Sequence, residues 1–206
     1  MNSKNHAPHA TPRPRGRPRG FAPAVALDAA MRVFWLEGYN GASIDRLARE
    51  TGMPRATLYQ VYGDKEGLFL AAVAHYAETR TARVGAALGP NGTLRVDLEA
   101  FFAAVITLAT SDPEARGCLI SCVLADAAGT NPQFRSELDR RFLALEHRIR
   151  DRLEAESLQT GDIPARAIMI ASIARGLMLR ARAGATRDLL EQAAAEAVRV
   201  LAPASH

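Results

Sequence analysis

Apolar side chains recur along most of this chain at intervals of three and four residues, the spacing of one face of an α-helix. Ile44, Leu47, Ala48 and Thr51 follow that spacing and predict a short amphipathic helix. Alternation of polar and apolar residues, which would indicate β-strands, is not apparent in the sequence. The pattern therefore predicts an all-α fold of about nine helices.

The segment from Ser43 to Lys65 predicts two short helices joined by a tight turn. The Ser43 hydroxyl is suited to accept an unpaired backbone N–H at the start of the first helix. Gly52 can adopt the left-handed conformation that ends it, and Pro54 fits the first turn of the next helix. Two short helices across a glycine-containing turn form a helix-turn-helix.

The second helix of this pair is predicted to have one inner and one outer face. Leu58, Val61 and Tyr62 share the face expected to pack inward. The remaining side chains are basic, small, polar or aromatic and are expected to face outward: Arg55, Ala56, Tyr59 and Gln60.

Other helices follow from the same periodicity. A first helix is expected from Pro23 to Glu37, and a long one from Lys65 to about Leu88 before the break at residues 89–92. Five more are predicted beyond that break, over about 94–110, 118–128, 132–157, 163–183 and 187–201. The expected organisation is a disordered basic arm (1–20), a helix-turn-helix domain (21–66) and a larger helical domain (67–206).

Composition narrows the class of protein. The 206 residues are 48% hydrophobic but contain no apolar run near the ~20 residues that a membrane span requires. The two cysteines are too few for a disulfide scaffold and fit a reducing compartment, so a cytoplasmic location is expected. His75 and His147 lie on different predicted helices without a metal-ligand pattern nearby. An enzyme, a metal site and a cofactor are therefore not predicted.

Positive charge is concentrated at the N-terminus. Residues 1–20 hold five basic and no acidic side chains, whereas the other 186 residues hold 21 basic and 22 acidic ones. The segment around Arg15 and Arg17 resembles an AT-hook, in which arginines enter the narrow minor groove of A·T-rich DNA. The alternative is a solvated tail that aids solubility.

The segment ASIDRLARETGMPRATLYQVYGDKEGLF, preceded by FWLEGYNG, resembles the DNA-binding signature of the tetracycline-repressor (TetR) family. The resemblance implies a homodimeric repressor that binds a palindromic operator in double-stranded DNA. It also implies that the helical body encloses a pocket for a small-molecule effector, whose identity the sequence does not give. The alternative is an architectural protein that binds A·T-rich DNA constitutively.

Site residues follow from chemistry and from this resemblance together. Arg55 is expected to read a base edge, with Gln60 as a lesser candidate, and Thr57 to contact a thymine methyl group or a phosphate. The resemblance places Ser43, Tyr59 and Lys65 on the phosphate backbone. The predicted DNA-binding set is Arg15, Arg17, Ser43, Arg55, Ala56, Thr57, Tyr59, Gln60 and Lys65.

The last two helices are expected to form the dimer interface. The stretch AIMIASIA between Arg166 and Arg175 has no charge on any face, so its own domain cannot be its only cover. The alternative is a central helix buried within one protomer. The predicted interface residues are Ile170, Ala171, Ala174, Leu177, Leu190, Ala194 and Ala197.

Cys118 suggests a third hypothesis. It follows Arg116 near the predicted start of a helix, where the helix dipole and the arginine would favour a reactive thiolate. The sequence thus allows a repressor that senses oxidants or electrophiles through Cys118. The alternative is that Cys118 and Cys122 are small apolar side chains in a buried helix.

Overall fold

The structure, a computed structural model, describes residues 23–156 and 162–203. Within these ranges the chain forms nine helices and no strand, which confirms the all-α prediction. The helices are α1 (Pro23–Gly41), α2 (Ile44–Thr51), α3 (Arg55–Tyr62), α4 (Lys65–Tyr76, continued by Ala77–Thr81 and Ala82–Ala86), α5 (Leu94–Thr110), α6 (Leu119–Leu124, continued by Ala125–Ala128), α7 (Pro132–Ala155), α8 (Ile163–Arg182) and α9 (Arg187–Leu201).

Side-chain caps fix where several helices begin. Asp64, Asn131, Asp162 and Thr186 each accept backbone N–H groups in the first turn of α4, α7, α8 and α9 respectively. These groups would otherwise lack a partner in the first turn. The predicted starts of these four helices are confirmed.

The α4 helix differs from the predicted unbroken helix to Leu88. It ends at Ala86, and its middle is a π-helical turn at Ala77–Thr81. The Thr79 and Thr81 hydroxyls donate to the carbonyl oxygens of His75 and Ala77 at 2.7 and 2.9 Å. Such side-chain hydrogen bonds compete with the backbone ladder, and this competition is a local cause for the wider turn.

An aromatic cluster joins the first helices to the rest of the chain. Phe34 of α1 lies 4.8 Å from Phe69 of α4, measured between ring centroids. Phe134, at the start of α7, lies 5.1 Å from Phe69 and 4.7 Å from Tyr39. The edge-to-face geometry of these rings fixes α1 and α4 against α7.

The larger domain packs α7 and α9 around the central pair α5 and α8. A buried ion pair ties the start of α5 to the end of α7, where Arg152 Nε lies 2.5 Å from the Asp97 carboxylate. Asp97 also accepts the backbone N–H of Asn91, and Arg152 donates to the Gly92 carbonyl oxygen. This network holds the turn between α4 and α5.

The α6 helix begins one residue later than predicted. Cys118 has an extended backbone (φ −136°, ψ 131°) and precedes the helix, which starts with a π-helical segment at Leu119–Leu124. Over the described ranges, no helix combines the length and the apolar character needed to cross a membrane.

Candidate nucleic-acid interface and ligand cavity

The α2–α3 unit is built by local signals and a small core. The Ser43 Oγ atom accepts the Arg46 backbone N–H at 3.1 Å, and Gly52 ends α2 with φ 68°. Leu47, Met53 and Leu58 are buried and hold the two helices together. The predicted helix-turn-helix is therefore present, with the predicted cap at each end of α2.

The outer face of α3 is available to a partner. Arg55, Ala56, Tyr59 and Gln60 are exposed, and Thr57 is half-buried. A helix of this width fits the major groove of B-DNA, where arginine and glutamine side chains can reach base edges. The structure thus brings the predicted recognition residues together on one surface.

One side chain of α3 differs from the prediction. Val61 was grouped with Leu58 on the inner face, but it is 56% exposed whereas Leu58 is 2% exposed. Two short turns of helix have room for only a narrow contact stripe, and Tyr62 occupies the inner position next to Leu58. Val61 lies at the edge of the exposed face instead.

Asp45 of α2 forms an ion pair with Arg55 of α3. Both side chains are more than half exposed, at 62% and 58%, so water and salt screen the pair strongly. The contact orients the Arg55 guanidinium without burying it. Sequence spacing gave no indication of this partner, because the two residues belong to different helices.

Ser43 and Lys65 lie at the starts of α2 and α4, the helices before and after α3. The Ser43 hydroxyl accepts a backbone N–H, so its own O–H remains able to donate to a phosphate oxygen. The Lys65 ammonium lies 4.5 Å from the centre of the Tyr39 ring, and partial burial lowers its pKa. Both residues lie at helix N-termini, where the dipole favours anions.

Arg15 and Arg17 lie outside the described residues. Their predicted role in the minor groove is therefore neither supported nor opposed by the structure.

A cavity of about 370 Å³ opens in the larger domain between α4, α5, α6, α7 and α8. Much of its wall is apolar, including Val84, Val105, Ile120, Leu145 and Met178. The π-helical turn of α4 forms part of the rim. Sequence periodicity predicted the helices around this space but not the space itself.

Cys118 forms part of the cavity wall and is 2% exposed. The buried Tyr76 side chain lies beside it; burial raises the pKa of Tyr76 well above its usual value, and the neighbouring Cys118 thiol adds to this rise. Burial also raises the pKa of the Cys122 thiol. The structure thus places Cys118, but not Cys122, against the cavity.

The predicted dimer residues face the protomer's own core. Six of the seven are buried within the single chain, and Ala197 is half-buried: Ile170, Ala171, Ala174, Leu177, Leu190, Ala194 and Ala197. These side chains pack in the chain's own core, so the assignment of residues is corrected. The opposite faces of α8 and α9 expose large apolar side chains: Ile168, Met169, Leu179, Leu189 and Val200.

The family model described as bacterial regulatory proteins of the tetR family matches residues 26–72. A second model, the C-terminal domain of transcriptional regulators like LmrA and YxaF, matches residues 96–196.

Similar proteins match over nearly the whole chain. The transcriptional repressor ComR of Escherichia coli is 30% identical over 193 residues, which cover 90% of this chain and 91% of ComR. The repressor AcnR of Corynebacterium efficiens is 28% identical and covers 81% of this chain and 85% of its own.

A solved structure of the regulator CifR, a cysteine mutant bound to 26-base-pair operator DNA, matches with a TM-score of 0.81. The identity is 28%, and the match covers 89% of this chain and 98% of that one.

Proposed function

The chain belongs to the tetR family of bacterial regulatory proteins and is a ligand-responsive, DNA-binding transcriptional repressor, and we propose how its own residues perform that role. Two protomers bind a two-fold-symmetric operator through their α3 helices, in the cytoplasm. A small molecule in the cavity favours a conformation in which the two helix-turn-helix domains of the dimer no longer match the operator. The single observation that carries the proposal is the exposed face of α3, which is held in place because Leu58 on the opposite face is buried.

The proposed contacts to DNA are of two kinds: contacts to base edges, which recognise the sequence, and contacts to phosphates, which orient α3. Arg55 carries paired donors suited to a base edge and is oriented by Asp45, whereas Gln60 offers one donor and one acceptor. Thr57 contacts a thymine methyl group or a phosphate. Ser43, Tyr59 and Lys65 bind phosphates and set the orientation of α3, and Ala56 allows the helix to approach closely.

The dimer interface is the outer face of α8 and α9. Ile168, Met169 and Leu179 project from α8, where each is close to half exposed in the single chain. An apolar surface of this kind is typical of a face covered by a second copy. Two-fold symmetry then allows the α3 helices to lie about one DNA turn (~34 Å) apart.

Ligand binding in the cavity can move the helix-turn-helix domain because α4 and α8, which line the cavity, also contact or adjoin that domain. The α4 helix begins directly after α3 and forms the cavity rim with its π-helical turn. A ligand that fits the cavity in only one arrangement of α4 and α8 shifts the population toward that arrangement. By linkage, operator DNA and effector then weaken each other's binding.

Selection of bound fragments from random duplex DNA tests the proposal, with the wild type, Arg55→Ala and Arg95→Ala compared at physiological salt. Arg95 lies on α5 and serves as a control for the loss of one positive charge. We expect one two-fold-symmetric motif whose sharpest positions relax only in Arg55→Ala. Broad enrichment of A·T-rich DNA in all three proteins would instead favour the architectural alternative.

The basic arm adds a sequence-independent contribution. Arg15 and Arg17 are proposed to enter the minor groove beside the operator. Deletion of residues 1–20 is expected to weaken operator affinity and to reduce its salt dependence. Unchanged affinity at ~0.15 M salt would leave the arm as a solvated tail.

A second candidate function, oxidant or electrophile sensing, is favoured by the position of Cys118 in the cavity wall. Burial raises the pKa of Cys122, so that thiol stays protonated at neutral pH and reacts slowly. A Cys118→Ser protein that still leaves the operator on oxidant treatment would exclude this function, and retention on the operator would support it. Cys122→Ser is the matched control.

A further inference from the structure

We propose that the cavity binds a monoanionic amphiphile, a molecule with one carboxylate and an apolar body, and that Arg148 binds the carboxylate. The inference deepens the proposed function, because it names the chemical class of the effector for the cavity described above. It rests on the charges of the cavity wall.

The size and the lining of the cavity indicate what the apolar body of the ligand can be. A volume of about 370 Å³ lies at the small end of the range for small-molecule sites, about 300–1,000 Å³. Val84, Val105 and Ile120 belong to its wall, and they favour hydrocarbon or aromatic surface over a polar body.

Two of the three arginines in the wall already have a carboxylate partner. Arg141 Nε donates to Glu137 at 2.7 Å, a carboxylate that Arg140 also contacts. Arg175 donates to Glu146 at 2.9 Å. The Arg175 guanidinium also stacks on the Phe142 ring, 3.7 Å from its centre. These two arginines are therefore parts of the wall rather than available anion sites.

Arg148 differs from both of them. Its Nε donates to the Gly85 carbonyl oxygen across the cavity rim, and no carboxylate of the described residues lies within 4 Å of it. A Cβ atom at position 85 would lie 3.1 Å from Arg148 Cδ, so the glycine leaves room for this contact. The guanidinium is thus anchored at one nitrogen, while its terminal nitrogens remain able to bind a carboxylate.

Glu78 limits the charge of the ligand. It is the one carboxylate of the cavity lining and is exposed at the rim, with no ion pair in the part of the chain that the structure describes. It would repel a second negative charge. Repulsion of this kind selects a monoanion over a phosphate ester or a dicarboxylate.

Calorimetric titration of the full chain with octanoate, octan-1-ol and octylamine tests the inference, because the three probes share one tail and differ in head group. We expect octanoate to bind most tightly. Arg148→Gln should weaken octanoate by about tenfold or more while leaving octan-1-ol unchanged, as expected for hydrogen bonds to a charged group. Arg148→Lys should restore part of the loss.

The matched control is Arg83→Gln, an exposed arginine of α4 outside the cavity lining. Octanoate affinity should not change in this variant. Absence of octanoate binding, equal binding of octan-1-ol, or an equal loss in both arginine variants would overturn the inference.

Operator release is measured separately so that the two proposals can fail independently. If octanoate binds through Arg148 but the protein stays on its operator, the ligand class holds and effector control by this cavity fails. If an uncharged compound releases the operator and octanoate does not bind, the proposed function holds and the ligand class fails.

Discussion

Arg182 of α8 donates two hydrogen bonds, each 3.3 Å long, to the backbone carbonyl oxygen of Trp35 in α1. This carbonyl lies shortly before Gly38, whose non-helical backbone (φ 72°, ψ 173°) interrupts α1. Carbonyl groups at such an interruption lose helical partners and favour a positive charge. Because Met178, one turn earlier on α8, lines the cavity, the contact joins a cavity wall to the DNA-binding domain.

Arg182→Ala should loosen the end of α1 without unfolding the chain. We expect faster hydrogen exchange of the backbone amides of residues 35–42, because the carbonyl group loses its donor and α1 its contact with α8. Trp35, the sole tryptophan, should report the same change by fluorescence. Arg180→Ala, an exposed arginine on α8, is the control, and equal exchange in both variants would exclude the proposed link.

Asp45→Asn should lower the specificity for the operator and raise the affinity for non-specific DNA. Loss of the carboxylate removes an acid near the phosphates and frees the Arg55 side chain from its partner. We expect tighter binding to random DNA and a smaller ratio of operator to random affinity. The test is the affinity for operator DNA and for random DNA, each measured at two salt concentrations. An unchanged ratio of operator to random affinity would show that Asp45 does not position Arg55.

Leu179→Glu should separate the dimer. A charge in the centre of an apolar interface is left unpaired and desolvated when two protomers associate. Sedimentation should show a monomer, and operator affinity should fall with it. The control is Leu143→Glu on α7, where an apolar residue of similar exposure, 42% against 50% for Leu179, lies outside the proposed interface. A monomer in both variants would contradict the assignment of the interface to α8.

Asp97→Ala should destabilise the larger domain by about 3–5 kcal/mol, because it leaves the Arg152 charge buried without its closest partner. Urea unfolding measures the loss. Glu191→Ala, which breaks the exposed pair with Arg187, should cost far less. Similar losses for the two variants would contradict the role assigned to burial.

Much of the fold was predictable because its signals are local. Ser43 and Gly52 mark the ends of α2 within a few residues of sequence, and Asp64 marks the start of α4 in the same way. The outer face of α3 followed from its position between these signals. Local end signals and helix periodicity together were therefore enough to predict the exposed face of α3, apart from Val61.

The features that the sequence did not predict depend on contacts between distant segments. The stretch 167–174 of α8 has no charged side chain to show which side turns inward. The residues predicted for the dimer interface are therefore the ones that pack in the protomer's own core. Val61 was misplaced because α3 is too short to bury a full stripe. The family resemblance implied a pocket, but its lining residues and the Asp45–Arg55 pair depend on several helices that meet in the fold, and helix periodicity does not reveal them.

The most direct test of the central claim is operator affinity as a function of half-site spacing. Two α3 helices held on one two-fold axis require a fixed separation, so an insertion of about five base pairs, half a DNA turn, should turn one half-site away from its helix. We predict that the inserted operator binds about as weakly as a single half-site. Equal affinity for the native and inserted operators would contradict recognition by a rigid dimer.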